Sequence, residues 1–160
     1  MKTVICPGSF DPVTLGHMDI ITRASKLFDK VVVAVLNNSA KNPCFTIDER
    51  IALLKETTKD LDNVEISTFD GLLVDFAKIK GASGVVKGLR AVTDFEYEFQ
   101  MSMINKKLCP EIETVFLNTS QEYMYLSSSV VKQIAQAGGD ISMFVPAEIR
   151  DKIVDRLINI

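Results

Sequence analysis

The segment Lys30-Val-Val-Val-Ala-Val-Leu36 limits the fold of this chain more than any other stretch. Val31 to Val35 is apolar without a break, so a strand built from it has no face to offer to water. Such a strand must be covered on both sides, the situation of a parallel sheet carrying helices on each face. The flanking sequence supplies those helices. Ile20, Ile21, Ala24, Leu27 and Phe28 recur at helical spacing, which predicts an amphipathic helix from His17 to about Phe28. Thr46 followed by Glu49 is a capping box opening a helix to about Asp60, with Ile47, Ile51 and Leu54 on its apolar face.

The same alternation extends through the chain. Thr3–Cys6, Val64–Phe69, Gly84–Val86 and Thr114–Leu117 read as further strands. Leu72–Ile79, closed by Gly81, Asp94–Leu108 and Ser127–Ala137, stopped by Gly138-Gly139, read as helices. A last helix follows Pro146 and buries Ile149, Ile153 and Leu157. Phe95, Phe99 and Met103 form one stripe on the Asp94–Leu108 helix and are expected in the core. Five apolar strands separated by helices predict an α/β, doubly wound, five-stranded parallel sheet of the Rossmann-like kind with C-terminal helices. With no linker or repeat, residues 1–160 are expected to form a single domain. Folds of this kind bind ligands outside the carboxyl ends of the strands, where strand order reverses. The loops to search are therefore 7–17, 37–45, 69–74, 87–98 and 118–129.

Charge and composition remove several function classes. Lys and Arg total 18 against 21 Asp and Glu, a net charge of −3 without any basic run, which disfavours a nucleic-acid surface. One histidine and three scattered cysteines, Cys6, Cys44 and Cys109, make a zinc site an unsuitable reading, and no metal ligands are assigned. The odd, unpaired cysteines suit a reducing cytoplasmic setting. No apolar run approaches the roughly 20 residues that span a bilayer, so no membrane partner is expected.

The first candidate loop is Pro7-Gly8-Ser9-Phe10-Asp11-Pro12-Val13-Thr14-Leu15-Gly16-His17. Gly16-His17 opens a helix, whose free N–H groups and dipole favour an anion, and an imidazole placed there can donate to a phosphate oxygen. A plain helix start explains the same residues. Likewise Lys41 can be a solvated loop lysine, and Ser127-Ser128-Ser129 can be an N-cap run. Lys87, directly after a buried strand, is harder to explain as a solvated charge.

The pattern Pro-Gly-Ser-Phe-Asp-Pro-x-Thr-x-Gly-His resembles the signature of the nucleotidyltransferase superfamily, with Thr14-Leu15-Gly16-His17 as its hallmark. Ser127-Ser128-Ser129 before Val130-Val131-Lys132 resembles the superfamily's second hallmark. Over residues 3 to about 150 the chain is similar to the bacterial phosphopantetheine adenylyltransferases. The similarity is carried by Phe45–Arg50, Met103–Lys106, Pro110–Thr114 and above all Gly88–Glu98.

That resemblance implies transfer of AMP from ATP to 4′-phosphopantetheine, giving 3′-dephospho-coenzyme A and pyrophosphate, the penultimate step of coenzyme A synthesis. It implies catalytic roles for His17, Lys41 and Arg90. It implies ATP contacts from Ser9, Phe10, His17, Gly88, Leu89, Arg90, Glu98 and the stretch Tyr123, Met124, Tyr125, Leu126, Ser127, Ser128 and Ser129. Ser9, Lys41, Leu73, Lys87 and Asn105 would meet the acceptor. Mg²⁺ with the ATP, coenzyme A as a feedback ligand and a homohexamer are further implications. The chain departs from the family pattern at Lys87, where arginine is usual, at Tyr123, where tryptophan is common, and at Gln133, where glutamate is frequent. The alternatives are another nucleotidyltransferase, acting on nicotinate mononucleotide or on glycerol phosphate with CTP, and a nucleotide sensor without chemistry.

Overall fold

The strands follow the apolar, β-branched runs of the sequence. The computed structural model describes residues 1–37 and 42–159, with residues 92 and 93 described by backbone alone. The strands are β1 (Thr3–Gly8), β2 (Lys30–Leu36), β3 (Val64–Phe69), β4 (Gly84–Leu89) and β5 (Glu113–Asn118). They form one sheet in the order β3-β2-β1-β4-β5, and every pairing is parallel. Helices α1 (Leu15–Leu27), α2 (Ile47–Thr57), α3 (Leu73–Ile79), α4 (Val92–Leu108), α5 (Ser128–Gln136) and α6 (Arg150–Ile158) fill the connections, a 3₁₀ turn at Ala147–Ile149 leading into α6.

The central strand β2 behaves as its composition requires, with Val31 to Val35 all buried. Val31, Val33 and Val35 join Val4, Cys6 and Val86 in a core covered by α1, α2, α5 and α6. Val32 and Ala34 join Ile5 and Val85 in a second core on the opposite face, with Val74, Phe76 and Ala77 of α3. Neighbours in sequence therefore serve different layers. That parity decides the site: along β4, Val86 and Gly88 turn toward α1, while Val85 and Lys87 turn toward α4.

Chain order reverses between β1 and β4, since β1 pairs with β2 on one side and β4 on the other. The carboxyl ends of these two strands open the crevice that the topology predicts. Two packing expectations need correction, and one charged residue is buried. Phe95, Phe99 and Met103 are 45%, 49% and 58% exposed, so their stripe is not core within this chain. Leu27, expected on the apolar face of α1, is exposed at the last residue of that helix. Arg50, a charged residue, takes a buried place on α2 because its guanidinium donates to the carbonyls of Ser9, Leu36 and Thr46.

Candidate active site

A cleft of about 640 Å³ lies at the carboxyl ends of β1 and β4. Its floor begins at the first loop, where Phe10 holds a φ of 48°, a left-handed backbone costing a non-glycine residue about 1–2 kcal/mol. The neighbours enforce it. The Ser9 carbonyl accepts from Arg50 Nη1 at 2.8 Å, and the Pro12 carbonyl accepts from the Ser128 hydroxyl at 2.7 Å. The Phe10 ring folds over Gly8, where a Cβ would meet it at 3.0 Å, so a side chain at residue 8 would push the ring aside.

Phe10 meets the His17 imidazole edge-on at 5.0 Å between ring centroids. His17 occupies the third position of α1, and Thr14 is the N-cap. The Thr14 hydroxyl accepts from the His17 backbone N–H, and the Thr14 backbone N–H donates to His17 Nδ1 at 3.1 Å. A backbone amide can only donate, so Nδ1 must be the unprotonated nitrogen and the neutral ring carries its proton on Nε2. This capping box, with histidine in the place usually held by glutamate or glutamine, sets the tautomer. Burial in the cleft wall, then the charges of Arg90 and Lys87, push the imidazole pKa down to about 4. His17 is thus a neutral N–H donor at physiological pH.

Cations and helix starts surround this donor. Lys87 projects toward α4 and pairs with Glu98 at 3.2 Å. Arg90 donates through Nε to Asp94 at 2.9 Å and through Nη1 to the Leu126 carbonyl at 2.9 Å, which orients its planar fork. Ser127 caps α5 by accepting from the Val130 N–H. The first turns of α1 and α5 therefore bring unpaired backbone N–H groups to one cleft, the arrangement that suits phosphate.

Of the residues expected from the sequence, Ser9, Phe10, His17, Leu73, Lys87, Gly88, Arg90, Glu98, Asn105, Tyr123, Leu126, Ser127 and Ser128 all line this cleft. Ser129 lines an adjoining 240 Å³ cavity instead, one residue round the helix. Leu89 ends β4, where its carbonyl accepts from the Thr119 N–H, and does not line the cleft. Met124 and Tyr125 are 50% and 64% exposed and lie outside the lining. Lys41 lies outside the described residues.

Residues not anticipated include Asp94, Met101 and Ser102, which line the cleft from α4. Helical spacing could have found them, because Asp94, Glu98, Met101–Ser102 and Asn105 recur at three to four residues and form one stripe. Thr14 was legible as half of a hallmark, but its capping partner was not, since histidine is an unusual capping residue. Among the described residues, no group of three or more His, Cys, Asp or Glu is placed to hold a metal ion, and no helix is long and apolar enough to cross a membrane.

Comparison with known proteins agrees with this geometry. The cytidylyltransferase-like family matches residues 5–134. A phosphopantetheine adenylyltransferase of Caldanaerobacter subterraneus subsp. tengcongensis is 60% identical, covering 98% of both chains. One from Alkaliphilus metalliredigens is 57% identical over 91% of this chain and 93% of its own. Among solved structures, a Plasmodium falciparum nicotinic acid mononucleotide adenylyltransferase complexed with NaAD superposes with a TM-score of 0.66 at 13% identity. That match covers 99% of this chain and 96% of the other, and at such identity it shows the shared fold alone. A helix-start histidine donor, paired cations at a strand-order reversal and near-full-length identity point the same way: the chain belongs to the phosphopantetheine adenylyltransferases, within the cytidylyltransferase-like nucleotidyltransferases.

Proposed function

We propose that the cleft carries out its family's reaction, AMP transfer from ATP to 4′-phosphopantetheine, by in-line displacement without a covalent enzyme intermediate. An oxygen of the acceptor phosphate attacks the α-phosphorus, the bond from that phosphorus to the β-bridging oxygen breaks, and pyrophosphate departs. A new phosphoanhydride closes 3′-dephospho-coenzyme A. No side chain has to form a bond, so the protein contributes position and charge stabilisation. The observation that carries this reading is the neutral His17, whose Nδ1 is engaged by Thr14 and whose Nε2–H is left to donate to the phosphoryl oxygens.

Around that donor we assign Arg90 and the N-terminus of α5, with Ser127 and Ser128, to the triphosphate. Ser9, Phe10, Gly88, Glu98, Tyr123 and Leu126 are assigned to the nucleotide, supported by their place in the cleft wall. Lys87, Leu73 and Asn105, on the side of the cleft bounded by α3 and α4, are assigned to the acceptor, together with Ser9. Lys41 is assigned to the acceptor phosphate on the family pattern. Ser129, Leu89, Met124 and Tyr125 take part through their backbone and neighbours, not as cleft walls.

Magnesium belongs to the substrate in this reading, entering as MgATP. The ion suits phosphate oxygens and water better than a protein cage, and the described residues offer no cage. Coenzyme A combines the adenine nucleotide with the pantetheine arm, so it would fill both halves of the cleft and act as a feedback ligand. The exposed apolar stripe of α4 supports burial against other copies in a homohexamer. Three cysteines kept as free thiols suit the cytoplasm, and residues 1–160 are taken as one domain.

Turnover decides the reading. Incubation with MgATP and 4′-phosphopantetheine should release pyrophosphate, whereas nicotinate mononucleotide, or glycerol phosphate with CTP, should not. Absence of pyrophosphate with 4′-phosphopantetheine alone among the acceptors would overturn the assignment, and absence with all of them would leave a nucleotide sensor.

A further inference from the structure

The first loop carries a carboxylate, that of Asp11, to which the adenylyl transfer assigns no role. Asp11 is 6% exposed, and its carboxylate binds two segments far apart in sequence. Oδ1 accepts from the Phe45 N–H at 2.9 Å, and Oδ2 accepts from the Cys44 N–H at 3.0 Å and from Lys132 Nζ at 3.0 Å. The amides belong to the segment leading into α2, and the lysine belongs to α5. Two residues before Asp11 and one after it, the same loop is bound again, by Arg50 at the Ser9 carbonyl and by Ser128 at the Pro12 carbonyl. Every residue from Ser9 to Pro12 except Phe10 is thus tied by a polar bond, and Phe10 carries the left-handed backbone.

We propose that Asp11, clamped between Lys132 and the Cys44–Phe45 amides, is the positioning residue that fixes Phe10 against His17 and so aims the imidazole at the transferring phosphoryl group. Both carboxylate oxygens are already engaged, so Asp11 is not placed to act as a base. An uncommon backbone conformation persists only where the surroundings over-determine it. Releasing Asp11 lets residue 10 relax, which moves the ring packed edge-on against His17. The route runs from the Asp11 carboxylate to the Phe10 backbone, to its ring, and to the imidazole. The same clamp joins α5 to the loop, so the serine-capped helix start and His17 keep a fixed separation. This inference rests on the adenylyl-transfer reading for its kinetic arm and on the structure alone for its spectroscopic arm.

The test is Asp11→Asn, nearly isosteric, which puts an amide donor against groups that themselves donate. Because His17 is the chain's one histidine, its imidazole resonances can be followed without ambiguity in the full-length protein. The expected result is a fall in kcat of tenfold or more with KM for ATP and 4′-phosphopantetheine within about threefold. The His17 Cε1–H and Cδ2–H resonances of the ligand-free protein should shift as the Phe10 ring moves. Folded protein with unchanged imidazole resonances would overturn the proposal, as would unchanged kcat. If Asp11→Asn does not fold, Lys132→Met removes only the lysine arm and should give the same two changes in smaller measure. Unchanged kcat and resonances there would overturn it equally. Ile112→Val, in the separate core on the other face of the sheet, is the control for lost stability and should leave both readouts unmoved. Failure of wild-type turnover would refute the functional reading while leaving the resonance shift to judge the clamp.

Discussion

Helices α1 and α4 flank the same cleft and are built in opposite ways. α1 starts with a two-sided capping box, buries Ile20, Ile21 and Ala24, and places its working residue in the first turn, where the cap fixes it. α4 has no side-chain cap, leaves Phe95, Tyr97, Phe99, Met103, Ile104 and Leu108 exposed, and contributes working residues along its length. The difference separates two tasks. A group that must meet a transition state within a fraction of an ångström is held by the chain itself. A wall that receives a long, flexible substrate arm can be shared with a surface that still has apolar area to bury.

Breaking the α1 side should cost most. His17→Ala should lower turnover by about 10²–10³, the usual loss for one preorganised donor, while ATP affinity measured by calorimetry changes far less. An unchanged rate would remove His17 from the mechanism. On α4, Met103→Glu introduces charge into the exposed stripe. If copies assemble through that stripe as proposed, it should give smaller species in analytical ultracentrifugation while circular dichroism stays native. An undisturbed assembly would show that this stripe is not an interface.

Two glycines sharpen the contrast in packing. A Cβ on Gly88 would sit 2.9 Å from Ile20 Cγ1, inside the contact between β4 and α1, so Gly88→Ala should destabilise by about 1–3 kcal/mol in urea melts. At Gly16 the nearest protein atom would be 3.5 Å away, so Gly16→Ala should fold normally yet bind ATP more weakly. There the added methyl would make ordinary contacts with Thr14, Tyr123 and Leu126, on a cleft wall where a nucleotide would approach.

Titration tests the electrostatics. A folded pKa of about 4 lies below the ordinary 6.5, so the unfolded chain takes up its proton first. The stability associated with His17 should be complete above pH 6.5, fall as pH drops toward 4, and change no further below that. The imidazole resonances should titrate near 4 in the free protein and higher with ATP, whose phosphates offset Arg90 and Lys87. A midpoint near 6.5 without ligand would contradict the buried neutral donor. Smallest is Lys87→Arg on the α4 side. A planar fork should grip the acceptor phosphate better than a point charge, lowering KM for 4′-phosphopantetheine a few-fold with little change in kcat. A raised KM would mean that the Glu98 pairing is fitted to lysine.

Much of the fold could be read directly, because local pattern and final environment agree. The valine run demanded two covered faces and has them. Thr46 with Glu49 caps α2, and Ile149, Ile153 and Leu157 are buried as their spacing required. The errors share a cause. The Phe95–Phe99–Met103 stripe is apolar, but periodicity reports only that a face seeks burial, not whether this chain or another covers it. Arg50 would be a surface residue by type, and only the carbonyls of Ser9, Leu36 and Thr46 converging from separate segments make its burial tolerable.

The sequence alone therefore determined the parallel α/β layering, the crevice loops and the presence there of residue types suited to phosphate, because these depend on periodicity and short motifs. The tertiary structure decided which nitrogen of His17 carries the proton, that Lys87 meets Glu98, and that Asp11 ties the first loop to Cys44, Phe45 and Lys132. Those outcomes depend on donors and acceptors brought together across 11 residues of chain at Lys87 and 33 to 121 at Asp11, except at His17, where three residues suffice. There a backbone amide, free to donate but not to accept, makes the choice.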